Sequence, residues 1–174
     1  LHGADDPTVA RLITSRPDYP MRPAADAERA EWDAWATAIL ETAGQFQMLT
    51  PLRRGPYGAD ALNQQIEQAL ARTGQLGSAG PPGRWYAGRP VMVTGNDYGL
   101  KLMNGDIGIT LRVPARFGDP EQGEDLRVAF RSEGRVRWVL PSRLQRVETV
   151  YAMTVHKSQG SEFDAVALVL PPGD

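Results

Sequence analysis

The spacing of apolar residues changes halfway along this 174-residue chain. Before residue 74, apolar side chains recur at helical intervals in two segments, 24–44 and 59–73, and from residue 84 they fall in short segments rich in β-branched residues. Between the two lies GQLGSAGPPG, residues 74–83, where Gly, Ser and Pro dominate and no apolar period survives. A linker at which the period changes predicts α/β structure before it and mostly β structure after it.

The first part of the chain predicts the element order of an α/β layer. Residues 1–23 carry four prolines and predict an irregular lead-in. Next come a helix over 24–44, a strand in FQMLTPL (46–52), a loop in RRGPYG (53–58) and a helix over 59–73 that Gly74 ends. The first helix has an apolar stripe and a capping residue at each end. The stripe is Ala30, Trp35, Ile39 and Leu40, and the caps are Asp26 and Gly44.

The second part predicts a small β-barrel. Four segments have strand composition: RPVMVTGND, DIGITLRV, LRVAFRS and RVRWVLPSRL. They are separated by Asn104-Gly105, which fits a type I′ hairpin turn, by FGDPEQGED (117–125), and by Glu133-Gly134. Short strands joined by tight turns favour a barrel over an open sheet. From Val147 the α/β pattern returns, and AVALVL (165–170) predicts a strand buried on both faces because it does not alternate.

Composition and charge exclude several classes of protein. The absence of cysteine excludes a disulfide scaffold and a Cys nucleophile, and no apolar run approaches the ~20 residues of a membrane span, so no membrane partner is expected. The net charge of -2 argues against a nucleic-acid binder that uses its whole surface. Lys and Arg outnumber Asp and Glu, 11 against 7, only in residues 84–147. That segment could contact phosphates, or it could be an ordinary solvated Arg-rich strand surface.

The stretch TVHKSQGSEFD, residues 154–164, concentrates polar side chains around one glycine. A Ser-His-Asp triad could be drawn from Ser158 or Ser161 with His156 and Asp164, but a Gly-x-Ser-x-Gly elbow is missing. With only two histidines and no cysteine in the chain, a zinc site is disfavoured, and no metal ligand is predicted. Binding of phosphate by hydroxyls, amides and Lys157 around a flexible Gly160 fits better, although the chain has no Walker A sequence.

Three ordered stretches carry a resemblance to a known family. AMTVHKSQGSEFD (152–164) resembles motif V of superfamily 1 DNA helicases, in the form found in RecD-type helicases such as the alpha subunit of exodeoxyribonuclease V. PLRRGPYGADALNQQI (51–66) resembles the motif IV region of the same family, and GRPVMVTGNDYGLKLMNGDIGI (88–109) resembles a further RecD-type segment. The first fifty residues match only in the order of helix and strand.

The resemblance implies a fold and a set of partners. The expected fold class is α/β: an incomplete RecA-like second motor domain of the P-loop NTPase type, with an inserted SH3-like β-barrel. The corresponding units are residues 1–83, 84–146 and 147–174. The chain begins at Leu1 and ends in LPPGD, so it is expected to be a piece without ATPase activity of its own, with Walker A and B upstream and motif VI downstream. The implied cofactor is ATP with Mg²⁺. The implied partners are single-stranded DNA and the RecB and RecC subunits, the polarity 5′ to 3′, and the location the bacterial cytoplasm.

The resemblance also implies roles for single residues. The nucleotide would meet Gly160, Ser161 and Glu162. Single-stranded DNA would meet the residues before them, which are Thr154, His156, Lys157 and Ser158. Arg53 or Arg54 would reach the γ-phosphate as the catalytic arginine, and the sequence leaves that choice open. It also leaves open whether His156 is structural, whether the parent is a RecBCD subunit or a stand-alone helicase, and whether the chain is instead a non-catalytic SH3-like module that binds DNA or a subunit.

Overall fold

A computed structural model describes residues 20–74, 76 and 84–172. The predicted linker, apart from its residues 74 and 76, and most of the predicted lead-in lie outside the described residues. The helices are α1 (Arg29–Gly44) and α2 (Ala59–Arg72), and a 3-10 turn covers Pro141–Arg143. The strands are β1 (Phe46–Thr50), β2 (Pro90–Val93), β3 (Ile107–Arg116), β4 (Asp119–Ser132), β5 (Arg135–Val139), β6 (Val147–Thr149), β7 (Ala152–Thr154) and β8 (Ala165–Leu168).

The strands form two sheets of different kinds. The first is a three-stranded parallel sheet in the order β7-β1-β8, with Met48 opposite both Ala152 and Ala167. The second is a five-stranded antiparallel sheet in the order β5-β4-β3-β2-β6. Because β6 pairs with β2, the antiparallel sheet continues past Arg146 as far as Thr149. An α/β arrangement is therefore present, with the β-rich block between the two parts of the parallel sheet in sequence.

The antiparallel sheet is open among the described residues. β5 and β6 form its two edges, and no pairing joins them. The expected closed barrel is therefore not confirmed. The segment FGDPEQGED, which the sequence predicts to be a loop, is also different: Asp119 opens β4, and a tight turn at Phe117-Gly118 joins it to β3. Gly118 has φ +79°, which suits such a turn, and the two strands extend as one long hairpin in which the outer half of β4 is exposed.

The first helix packs on the antiparallel sheet. Trp32, Ala36 and Ile39 are buried in one cluster with residues of β3, β4 and β5. The predicted stripe is right at Ile39, and Trp35 and Leu40 are partly buried against this cluster, but Ala30 is exposed. The helix begins at Arg29 after Glu28, so Asp26 is not its cap. The second helix covers the parallel sheet, where Ile66 and Leu70 join Met48 and Ala152 in another cluster.

Two other predictions of local structure are corrected. AVALVL is not buried on both faces: among the described residues β8 is an edge strand that pairs only with β1, and Val166 and Leu168 are about half exposed. Asn104-Gly105 is not a type I′ turn, because only Gly105 has a positive φ; the amide of Asp106 donates to the carbonyl of Met103 at 3.0 Å, as in a type II turn. Glu133-Gly134, with φ +52° and +74°, has the type I′ pattern.

Candidate phosphate-binding cleft

The carboxyl ends of parallel strands meet at one edge of a sheet, which is where open α/β sheets bind ligands. β1 ends at Thr50 and β7 ends at Thr154, and the amide of Val155 donates to the carbonyl of Thr50 at 3.0 Å. A cleft of about 640 Å³ opens beside this edge. We call it the edge cleft, and its charged and hydrogen-bonding lining includes Arg53, Asp60, Glu148, Thr154, His156 and Lys157.

The loop after β1 brings Arg53 to the edge cleft. Thr50 holds both ends of the loop, because its hydroxyl donates to the carbonyl of Tyr57 at 2.7 Å and accepts from the amide of Leu52 at 3.2 Å. The loop then folds back on the start of α2, where the Asp60 amide donates to the Arg53 carbonyl at 3.1 Å. Gly58 permits this close approach, since a Cβ there would lie 2.6 Å from the Arg53 carbonyl oxygen.

The turn after β7 has its own internal hydrogen bonds. The carbonyl of Thr154 accepts from the amides of Lys157 at 3.0 Å and Ser158 at 3.2 Å, so residues 154–158 form a helix-like turn. The hydroxyl of Ser158 donates to the carbonyl of Val155 at 2.7 Å, a local bond that gives it no place in a Ser-His-Asp triad. Gly160 follows with φ +84°, a left-handed conformation that few other residues adopt easily. The turn therefore exposes His156 while it holds Thr154 and Lys157 at the cleft wall.

Asn63 of α2 connects the two walls of the cleft. Its amide nitrogen donates to the carbonyl of Ala152 at 2.9 Å, and its amide oxygen accepts from the amide of the same residue at 2.8 Å. The side chain thus pairs with β7 as a neighbouring strand would. These two hydrogen bonds hold α2, which follows the Arg53 loop, against β7, which precedes the turn at Thr154.

A buried polar network lies at the base of the cleft. Glu67, which is buried, accepts from the hydroxyls of Tyr86 at 2.8 Å and Thr149 at 3.2 Å. Arg89, also buried, donates from its Nε to Thr149 at 3.0 Å, and the Tyr86 hydroxyl lies 3.1 Å from that of Tyr151. Burial, together with the neighbouring Tyr151 hydroxyl and Glu67, raises the pKa of Tyr86 well above its usual value. Tyr86 therefore stays a donor and links the antiparallel sheet to α2.

The cations of the cleft are paired with carboxylates. Lys157 Nζ contacts Glu148 Oε1, and Arg53 Nη2 lies 3.5 Å from Glu148 Oε2. Arg53 Nε lies 3.8 Å from Asp60 Oδ2. Glu148 thus uses one oxygen for each cation.

The predicted site residues divide into two groups in space. Arg53, Thr154, His156 and Lys157 line the edge cleft, and Ser158 lies in the adjoining turn. Outside the lining lie the exposed residues Arg54, Gly160, Ser161 and Glu162.

Sequence reasoning missed several residues of the cleft. Asn63 stands in the stretch ALNQQI that was compared with motif IV, so the family pattern contained a signal for it. Glu67 looks like any polar position of an amphipathic helix. Glu148 looks like any charged strand residue, because its importance arises from the pairing of β6 with β2.

Metal-ligand clusters and membrane-spanning helices are both absent from the described ranges. No group of three or more His, Asp or Glu side chains there could hold a metal ion. None of the helices there has the length and apolar character required to cross a membrane.

A known family model matches the C-terminal part of the sequence. The model for the UvrD-like helicase C-terminal domain matches residues 149–174. This range starts at the end of β6 and includes β7, the turn that follows it and β8.

Curated relatives match most of the chain. The RecBCD enzyme subunit RecD of Mycolicibacterium smegmatis is 40% identical over 137 residues, which are 78% of this chain and 22% of the relative. The RecBCD enzyme subunit RecD of Haemophilus influenzae is 34% identical over 147 residues, 84% of this chain and 20% of the relative. The ATP-dependent RecD2 DNA helicase of Deinococcus radiodurans is 37% identical over 127 residues, 73% of this chain and 16% of the relative. The chain spans about a fifth of the length of the curated relatives it matches.

Among solved structures, a chain from a study of two coordinating Pif1 helicases at forked double-stranded DNA is similar at 19% identity, with a TM-score of 0.38. The match covers 72% of this chain and 33% of the Pif1 chain.

Proposed function

Since this chain belongs to the RecD-type DNA helicases, we propose that its edge cleft binds phosphate groups in an ATP-driven helicase. In the proposed reaction, ATP hydrolysis to ADP and phosphate drives translocation along single-stranded DNA from 5′ to 3′. The proposed partners are single-stranded DNA and, because two of the relatives are named RecBCD subunits, RecB and RecC. The proposed location is the bacterial cytoplasm.

One observation supports the proposal above the others. Two segments about a hundred residues apart, the Arg53 loop and the turn at Thr154–Lys157, line one cleft at the carboxyl edge of a parallel sheet. Their side chains are a guanidinium, a hydroxyl, an imidazole and an ammonium, which are donors suited to phosphate oxygens. Neither segment alone would bind strongly, so the fold is required to bring them together.

Each wall of the cleft has a proposed task. Arg53 would contact the γ-phosphate and stabilise the charge that develops on it, whereas Arg54 would be a surface charge. Thr154, His156, Lys157 and Ser158 would hold the DNA backbone with neutral and cationic donors that can release it in each cycle. Gly160, Ser161 and Glu162 would meet the sugar and the remaining phosphates of the nucleotide.

ATP would supply the reactive phosphoryl group, and the donors of the cleft fit its phosphates. The described carboxylates do not cluster as magnesium ligands, so Mg²⁺ would be held by the nucleotide and by groups outside this set. We also propose that the flanking parts of the chain form a RecA-like unit and that the strand block is an SH3-like insertion. The block would begin at residue 84 and, following β6, end at Thr149 instead of Arg146.

ATP hydrolysis stimulated by single-stranded DNA, in the intact protein that carries this sequence, tests the assignment of Arg53. The Arg53→Gln variant is expected to lower the turnover rate by about a hundredfold or more, because a charge that stabilises the transition state is removed. The matched Arg54→Gln variant removes the same charge from the neighbouring residue and is expected to stay within about twofold.

Equal losses in the two arginine variants, or a loss only in Arg54→Gln, would contradict this placement of the nucleotide.

Substitution of His156 by Ala tests the wall of the cleft that is proposed to hold DNA. It should weaken binding of oligothymidylate several-fold without changing ATP affinity.

A further inference from the structure

Glu148 is placed between the two cations of the edge cleft. It lies in the middle of β6, opposite Met92 of β2, and its side chain is about a third exposed. One carboxylate oxygen contacts Lys157 and the other lies 3.5 Å from Arg53. The strand pairing fixes its backbone, so the carboxylate is held at the cleft and does not depend on a flexible loop.

The balance of charge in the cleft is unfavourable for an anion. The lining contains the carboxylates of Asp60, Glu67 and Glu148 and the cations of Arg53 and Lys157. A phosphate group that enters this cleft meets cations that are already paired, and a nearby carboxylate repels it. The cleft has cationic donors for a phosphate, but Glu148 already pairs with both of them, Arg53 and Lys157.

We propose that Glu148 is an internal competitor for phosphate, which an incoming phosphate group must displace from Arg53 and Lys157. The proposal rests on the proposed function, and it adds a residue that limits the affinity of the site. The shared chemistry is a phosphate group, whether it belongs to the DNA backbone or to a nucleotide.

Competition through one carboxylate connects the two walls. When a nucleotide phosphate takes Arg53, Glu148 keeps only Lys157 as its partner and pairs with it more completely. Lys157 is then less available to DNA, so the nucleotide should weaken the grip of this segment on the strand. When both cations bind phosphate, Glu148 is left without either partner, which limits how tightly the two ligands can be held together.

Glu148→Gln in the intact protein tests the competition, because it removes the charge and keeps the shape of the side chain. Glu121→Gln in the exposed half of β4, three strands away from β6, is the matched control for the change in net charge. The affinities for oligothymidylate and for Mg²⁺-ATP are measured separately at several salt concentrations.

Glu148→Gln is expected to raise both affinities about two- to fivefold at low salt, the range of partly exposed ion pairs, and the gain should shrink as salt rises. Glu121→Gln should change neither affinity. In addition, the gain for oligothymidylate should disappear when Lys157 is also replaced by Gln, and the gain for ATP should disappear when Arg53 is also replaced. The two arms therefore identify which phosphate displaces Glu148.

Unchanged or lower affinities for both ligands in Glu148→Gln would overturn the inference, while a loss of ATP hydrolysis in Arg53→Gln would still support the proposed function. Gains of equal size in Glu148→Gln and Glu121→Gln would also overturn it, because they would show only a general effect of charge. If the wild-type protein bound neither ligand, the proposed function itself would be wrong and the inference would fall with it.

Discussion

At the scale of single residues, Asn63 holds the edge cleft together. Its side-chain amide satisfies both backbone groups of Ala152, a residue that is almost completely buried. Water cannot easily replace these bonds, so the cost of losing them is the cost of two unsatisfied buried groups. Asn63 is therefore a positioning residue for the cleft walls, and it needs no contact with a ligand to be important.

Replacement of Asn63 by Ala is expected to lower the free energy of unfolding by about 2–4 kcal/mol, because the amide and carbonyl of Ala152 lose their partner. Urea denaturation of the chain measures this change. Gln65→Ala, at an exposed position of the same helix, is the control and should stay within about 0.5 kcal/mol. A loss as small as that of the control would show that the bonds to Ala152 contribute little.

The sequence could predict some residues of the molecule and not others. Gly108 lies in the stretch that resembles a RecD-type segment, and a Cβ there would lie 2.6 Å from the ring of Phe130, so its small size is required for packing. Four residues of the cleft lining were predicted as site residues because their types follow a family pattern, namely Arg53, Thr154, His156 and Lys157. Glu148 could not be found, because a carboxylate in a strand has no local signal, and its partners come from distant parts of the chain.

At the scale of elements, α1 buries its apolar face against the antiparallel sheet. Its buried face packs on β3, β4 and β5, and Trp32 is fully buried there beside Phe117 and Trp35. A helix that precedes β1 in sequence thus stabilises strands that come more than sixty residues later. The periodicity of residues 24–44 predicted the helix, but it could not tell which sheet the apolar face would contact.

The Trp32→Ala variant is expected to lower the free energy of unfolding by about 3–5 kcal/mol, because it leaves a large cavity between α1 and the sheet. The adjacent Glu31→Ala variant, at an exposed position, should change it by less than about 0.5 kcal/mol. Guanidinium denaturation followed by far-ultraviolet circular dichroism gives both values. If Trp32→Ala lowered the free energy of unfolding as little as Glu31→Ala, the packing of α1 on this sheet would be contradicted.

Predictions of strand extent and of strand burial failed where pairing outweighs local composition. FGDPEQGED has the Gly, Pro and acidic residues of a loop, yet β4 passes through it because β3 offers a partner over this length and Arg116 pairs with Asp119. AVALVL has the composition of a central strand, yet within the described part of the chain it pairs on one side only, and Val166, Leu168 and Leu170 are exposed. Composition indicates that a segment is a strand, but its neighbours are set by the topology.

At the scale of the whole molecule, the two sheets are joined by the polar network around Glu67. Tyr86 precedes β2, Thr149 ends β6, and Glu67 lies on the helix that covers the parallel sheet. A shift of the antiparallel sheet would therefore move the residues of this network that line the base of the edge cleft. The sequence predicted the order of the α/β and β-rich parts, but it could not predict this junction, whose members are spread over more than eighty residues.

Amide hydrogen exchange of the intact protein tests most directly the claim that one cleft serves both ligands. With oligothymidylate, exchange should slow in residues 154–158, and with a non-hydrolysable ATP analogue it should slow in residues 52–58. The outer half of the β3–β4 hairpin should be unchanged by both ligands. Protection of that hairpin, without protection of either cleft segment, would contradict the account.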